Sequence, residues 1–130
     1  MATKLISNFI FAGIEDNIIL VGFADDEFNT KEHILLQKSL EVNEQDKMLG
    51  QDKVHITYID ELRSSYGRIS KILIKDKTVI INVDKDTAEK LKIEEQMEIN
   101  LPRSHYDRDN LIYHLELMFK ECPSTILVEK

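Results

Sequence analysis

The strongest constraint on the fold is a change in the spacing of the apolar residues near Asp107. Before this point the apolar residues come in short runs separated by polar turns, which is typical of β-strands. After it, Leu111, Leu115 and Met118 recur with the period of a helix. Pro123 ends that pattern. A chain of many short strands with one substantial late helix predicts an α+β fold.

Two hairpins are predicted among the strand-like runs. The first joins residues 4–11 to residues 18–23 across a polar turn, and the apolar second run fits a strand that is covered on both sides. The second hairpin joins residues 69–74 to residues 78–83 and is the clearest local feature of the chain. Between the hairpins, residues 54–59 alternate between apolar and polar side chains, which indicates a half-buried strand.

Three segments near the middle of the chain lack a clear period. Residues 31–40 fit a strand or a helix, and we favour an extended segment because His33 stands where a complete capping box needs Glu or Gln. Residues 41–53 hold the capping and stop signals of a single helical turn or an ordered loop. Residues 60–68 are polar and predict a loop.

The remaining elements are short. Asp84 or Asp86 can cap a short helix, residues 97–101 predict a strand that ends at a proline, and residues 124–128 predict a final strand. We therefore expect a single domain over residues 1–130. Its core would be a mainly antiparallel sheet with hairpins and short helical turns, and the substantial C-terminal amphipathic helix would pack on that sheet.

The charge of the chain limits its partners. It carries 24 acidic residues against 17 Lys and Arg, which gives a net charge of −7. Binding to a phosphate backbone needs an excess of Lys and Arg, so we expect no nucleic acid partner, whereas a basic protein is a suitable one. Because the sequence has neither an apolar run long enough for a membrane span nor a signal-peptide pattern, we expect a cytoplasmic protein without membrane contact.

No spacing of reactive residues in the sequence indicates catalysis, a metal or a cofactor. The four histidines lack the i, i+3 or i, i+4 spacing of a metal-binding helix face. Cys122 falls on the apolar stripe of the predicted late helix, where we expect it to pack as a small hydrophobe. The four glycines are too far apart to form a phosphate-binding loop. We therefore expect no enzyme, no metal and no cofactor.

Carboxylates are the one abundant chemical group, and they leave alternatives to a binding protein open. Two carboxylates that meet in a pocket could act as acid and base, which would make the chain a small enzyme or a small-ligand-binding domain. A structural homo-oligomer, joined through the late helix or an exposed strand edge, is a further alternative. Electrostatic docking of a basic protein requires the least geometry, because steering depends on the overall charge distribution.

Four short motifs occur in order through the middle of the chain. Residues 36–40 are Leu-Gln-Lys-Ser-Leu, residues 44–46 are Glu-Gln-Asp, residues 49–50 are Leu-Gly, and residues 65–67 are Ser-Tyr-Gly. Through these motifs the chain resembles, over roughly residues 15–101, the immunity protein 10 family of bacterial polymorphic toxin systems.

The resemblance implies an α+β immunity protein, made by a bacterium to neutralise a cognate toxin domain by binding and without catalysis. Inhibitory contacts of this kind combine carboxylates that steer the partner with aromatic side chains that lose little entropy on burial. Our candidates for toxin contacts are the aromatic side chain of Tyr66 and the carboxylates of Asp25, Asp26, Glu44 and Asp46.

Overall fold

The computed structural model describes residues 3–26, 31–40, 54–101, 106–120 and 122–129. Within these ranges the strands are β1 (Thr3–Ile6), β2 (Phe9–Glu15), β3 (Ile18–Ala24), β4 (His33–Ser39), β5 (Val54–Tyr58), β6 (Asp60–Gly67), β7 (Ile69–Ile74), β8 (Thr78–Val83), β9 (Gln96–Asn100) and β10 (Ile126–Val128). The helices in the same ranges are α1 (Lys85–Leu91) and α2 (Arg108–Met118), and a 3-10 turn lies at Pro123–Thr125. The α+β class is confirmed.

Strands β2 to β6 form an antiparallel sheet in which each strand pairs with the next one along the chain. We call it the meander sheet. Strand β4 confirms the extended prediction for residues 31–40, and β5 confirms the half-buried strand. Asp16 and Asn17 form the turn between β2 and β3, with φ angles of 51° and 64°. These angles belong to the tight hairpin turns that match the twist of paired strands, so this turn confirms the first hairpin.

The other five strands form a second sheet in the order β1-β9-β8-β7-β10, which we call the mixed sheet. Strands β7 and β8 are the second predicted hairpin, and β9 and β10 confirm the strands predicted near residues 97–101 and 124–128. The edge strands β1 and β10 run parallel to their neighbours. We had expected one sheet, but partners such as Thr3 and Met97 are too distant along the chain to leave a local pattern.

The chain crosses from the mixed sheet to the meander sheet between β1 and β2. The buried Ser7 donates its backbone N–H to the carbonyl of Asn100 in the mixed sheet, at 2.8 Å. The next residue, Asn8, donates its N–H to the carbonyl of Ala24 in the meander sheet, also at 2.8 Å. The run over residues 4–11 therefore forms two strands in different sheets, and not the single hairpin strand that we predicted.

Strand β6 occupies most of the segment that we predicted as a polar loop over residues 60–68, so that prediction was wrong. Its polar composition suits an edge strand, and the side chain of Arg63 fixes the strand to helix α1. The guanidinium of Arg63 donates from Nε to the carbonyl of Leu91, at 3.0 Å, and from Nη2 to the carbonyl of Lys92, at 2.8 Å. Since both acceptors belong to the end of α1, the local sequence carries no sign of this contact.

Both helices begin at aspartate caps. The carboxylate of Asp84 accepts a hydrogen bond from the N–H of Thr87, at 2.9 Å, and that of Asp107 accepts one from Asn110, at 3.0 Å. The short helix and the start of the late helix are thereby confirmed.

The late helix is shorter than predicted. Helix α2 ends at Met118, and Cys122 lies beyond it, immediately before the 3-10 turn. Its side chain is exposed. The prediction that Cys122 packs in the core was wrong, because the helical period does not continue as far as this residue.

The core is built from the inward sides of both sheets and from α2. Its fully buried members include Phe23 and Leu36 of the meander sheet, Ile72 and Ile81 of the mixed sheet, and Leu115 of α2. The helix lies against β2 and β3. Each sheet thus packs one side on the core and turns the other side outward.

Candidate interaction surface

The two candidate carboxylates that the structure describes lie just after β3. Asp25 Oδ1 accepts hydrogen bonds from the backbone N–H groups of Lys31, at 2.9 Å, and Glu32, at 3.2 Å. These two donors lower the pKa of the Asp25 carboxyl below its ordinary value of 3.8. Asp25 is therefore a charged group that joins the end of β3 to the residues before β4.

Asp25 and Asp26 line an open cleft of about 530 Å³ together with Glu32 and the two lysines Lys4 and Lys31. The mixture of three carboxylates and two ammonium groups makes the cleft polar, without a single dominant charge. A general acid needs a carboxyl whose pKa is raised, and the pKa of Asp25 is lowered. The cleft thus resembles an ion-rich surface more than an acid–base site.

Tyr66, the candidate aromatic anchor, lies on β6 and points away from the core. It was expected in a loop, but the strand holds it on a defined side of the meander sheet, where 43% of the residue is exposed. Its ring meets the ring of His55 edge to face, with 4.9 Å between the ring centroids. The neighbouring histidine therefore restrains Tyr66, which stays partly open to solvent.

The structure does not bring Tyr66 and Asp25 together. The register aligns Tyr66 with His55, Gln37 and Leu20, so that the two candidates are separated by about 16 Å along the strands and about 14 Å across them. The other two carboxylates proposed from the sequence, at positions 44 and 46, lie outside the described residues.

We call the outward side of the meander sheet the open face. Cross-strand partners share a face, so the register defines four rows of side chains across it. The first three rows are Phe9, Ala24 and His33; then Phe11, Gly22, Leu35, Thr57 and Ser64; then Gly13, Leu20, Gln37, His55 and Tyr66. The fourth row, beside the turn between β2 and β3, is Glu15, Ile18 and Ser39. Thr57 in the second row is buried, and the other residues of the first three rows are partly or fully exposed. Of the described helices, α1 approaches this sheet on the opposite side at Gly67, and α2 on the opposite side at Ile19.

Sequence reasoning missed the apolar part of this face. Residues 18–23 were expected to be covered on both sides, but Val21 and Phe23 are buried while Leu20 and Gly22 are partly exposed. Period alone could not find this, because an exposed apolar face and a covered one have the same pattern. The signal that could have found it is Gly22, because glycine within a strand often marks a position where a ligand or another backbone approaches closely.

Two glycines flatten the open face. A Cβ at Gly13 would lie 3.3 Å from Cζ of Phe11, and a Cβ at Gly22 would lie 3.4 Å from Cδ1 of Leu35. The Phe11 ring and the Leu35 side chain therefore lie over glycine backbone instead of standing away from the sheet. A flat, partly apolar surface is a suitable shape for contact with another protein.

The part of the chain that the structure describes contains no group of three or more His, Cys, Asp and Glu side chains that could hold a metal ion. In the same ranges, no helix is both long enough and apolar enough to cross a membrane.

These features define a small α+β protein that presents a broad sheet face and an ion-rich cleft. The family model of immunity protein 10 matches residues 7–109, which is well over half of the chain. The protein therefore belongs to the immunity protein 10 family, as its motifs indicated over roughly residues 15–101. A comparison with curated proteins gives no match.

Proposed function

We propose that this protein neutralises a cognate bacterial toxin domain by binding to it in the cytoplasm, without catalysis. The observation that carries the proposal is membership of the immunity protein 10 family across residues 7–109. The partner is a protein, and neither a cofactor nor a metal is needed for the inhibition.

The charge of the protein supports a basic toxin. A net charge of −7 attracts a positively charged partner over several ångströms and raises the rate of encounter. Among the described residues, Asp25 stays ionised to lower pH than an ordinary aspartate, because two backbone N–H groups stabilise its charged form. Its charge is thus available for steering throughout the neutral range.

The alternative of a small enzyme that works through paired carboxylates receives less support. Its best location would be the cleft around Asp25 and Asp26, where the pKa of Asp25 is shifted in the direction opposite to that of a general acid.

The proposal is tested with the toxin domain that we expect to be encoded beside the gene for this protein. The two proteins are co-expressed, one of them is purified by an affinity tag, and the complex is analysed by gel filtration. We expect a stable complex that contains both chains. Separate elution of the two proteins at every salt concentration would contradict the proposal.

A further inference from the structure

We infer that the open face of the meander sheet is the surface that binds the toxin, and that its partner presents apolar side chains surrounded by Lys and Arg. This inference rests on the proposed function and adds the location and chemistry of the contact. It places the centre of the interface on Phe11, Leu35 and Tyr66, and assigns the carboxylates to its edge.

The open face is depleted in charge. Its four rows contain sixteen residues, of which only Glu15, in the row beside the turn, is Lys, Arg, Asp or Glu, although such residues make up 32% of the chain. The outward side of the mixed sheet differs, since Lys4 pairs there with Glu98, and Lys71 lies on β7 of the same sheet. Depletion of charge with retention of aromatic residues is the compositional mark of an interface centre.

The aromatic residues of the open face are restrained before any partner arrives. Phe11 is 38% exposed and lies over Gly13, and Tyr66 is 43% exposed and contacts the ring of His55. A side chain that is already held loses little conformational entropy on binding, so its burial contributes more of its hydrophobic free energy to the affinity.

Carboxylates stand at both ends of the strands that form the open face. Glu15 and Asp16 are exposed at the turn between β2 and β3, and Asp25 and Asp26, which share their cleft with Lys4 and Lys31, follow the other end of β3. A basic rim on the partner would complement these groups. A second copy of this chain, stacked face to face, would instead bring like charges together, so the rim favours a different, basic protein.

The size of the open face is compatible with this role. Five strands cover about 24 Å across the sheet and the first three rows cover about 20 Å along it, which gives about 480 Å². A standard interface buries about 800 Å² on each partner. These three rows thus supply somewhat more than half of the area, and the acidic ends of the strands supply the rest.

The test compares substitutions on the two outward sheet faces. Phe11→Thr and Tyr66→Thr remove the apolar anchors and introduce a residue that strands accept. Leu127→Thr is the matched control, because Leu127 lies on β10 of the mixed sheet and is 44% exposed. Affinity for the toxin domain encoded beside the gene is measured by titration calorimetry. We expect each anchor variant to weaken binding by about thirtyfold or more, and the control to change it by less than about threefold.

Tyr66→Phe and circular dichroism are the controls for a loss of folding in the variants. The phenylalanine keeps the ring on the open face, so we expect this variant to bind within about threefold of the unchanged protein, and all variants to retain its strand spectrum.

The outcomes separate the location of the contact from the function itself. A complex that Leu127→Thr weakens and the anchor variants leave unchanged would overturn the open face as the binding surface while the proposed function stands. Absence of any complex with the unchanged protein would overturn both. A dimer of this chain that Phe11→Thr dissociates, seen by sedimentation, would assign the face to a second copy and overturn the inference.

Discussion

Gly67 is the residue at which the backbone of β6 comes closest to helix α1. A Cβ at this position would lie 2.8 Å from Oγ1 of Thr87, and closer still to its methyl group. The same Oγ1 accepts a hydrogen bond from the N–H of Arg68, at 3.1 Å, so the threonine cannot move away without losing it. The glycine of the Ser-Tyr-Gly motif is thus required by packing, whereas the tyrosine beside it faces solvent.

We predict that Gly67→Ala lowers the free energy of unfolding by about 1–3 kcal/mol, because the added methyl group overpacks a closed contact. Urea unfolding measures the loss. The double variant with Thr87→Ala should lose less unfolding free energy than the sum of the losses in the two single variants, since the second substitution makes room for the first. Full additivity would show that the two residues are not in contact.

Asp25 gives the protein a distinct response to acid. Its folded-state pKa is lowered, so the ionised form stabilises the fold above pH 3.8, and this stabilisation is lost as the pH falls through the folded-state pKa. We predict that the difference in unfolding free energy between the unchanged protein and Asp25→Asn is largest near neutral pH and shrinks below about pH 4. Urea titrations over this range measure it; a difference independent of pH would contradict the role of the charge.

At the scale of single residues, the sequence supported only part of the candidate site. Tyr66, which we proposed as a toxin contact in a loop, is exposed, but its strand and its partner His55 follow from pairing between β5 and β6. Phe11 was not identified at all. Its exposure depends on which side of β2 meets the core, and a local pattern does not contain that information.

Arg63 links two secondary-structure elements, the edge strand β6 and helix α1. It donates two hydrogen bonds to the last carbonyls of the helix, and its guanidinium lies 4.7 Å from the centre of the Tyr58 ring. A cation at a helix C-terminus also interacts favourably with the helix dipole. One side chain therefore holds a strand that has few apolar residues of its own.

We predict that Arg63→Ala destabilises the protein by about 1–3 kcal/mol, through the loss of charged hydrogen bonds and of the contact with Tyr58. Thermal unfolding with van't Hoff treatment measures the change. Lys90→Ala is the control, because Lys90 forms an exposed ion pair with Asp86 at 3.1 Å, and such pairs contribute only about 0–1 kcal/mol. Equal losses in the two variants would contradict the role assigned to Arg63.

The elements that could be predicted are those whose signals are local. The hairpin of β7 and β8 has two apolar runs around a short polar turn, and α1 has its Asp84 cap, so both followed from the sequence. Strand β6 did not, because its stability comes from β5 on one side and from Arg63 bound to α1, both remote in sequence. The parallel pairings of β1 and β10 escaped prediction for the same reason.

For the whole molecule, the central expectation is binding that is steered by charge and held by uncharged side chains. We predict that the association rate constant with the toxin falls by about tenfold or more between low and high salt, while the dissociation rate constant changes little. Stopped-flow mixing measures the first quantity. Glu15→Gln, at the edge of the open face, should slow association more than Glu89→Gln on α1. Association that salt does not affect would remove the steering role.

The most direct measurement is the growth of cells that express the toxin domain encoded beside this gene. We predict that the unchanged protein and Leu127→Thr restore growth, and that the double variant Phe11→Thr with Tyr66→Thr, although folded, does not. Growth that remains arrested when the unchanged protein is produced in soluble form alongside that toxin would contradict the claim that this protein neutralises the toxin.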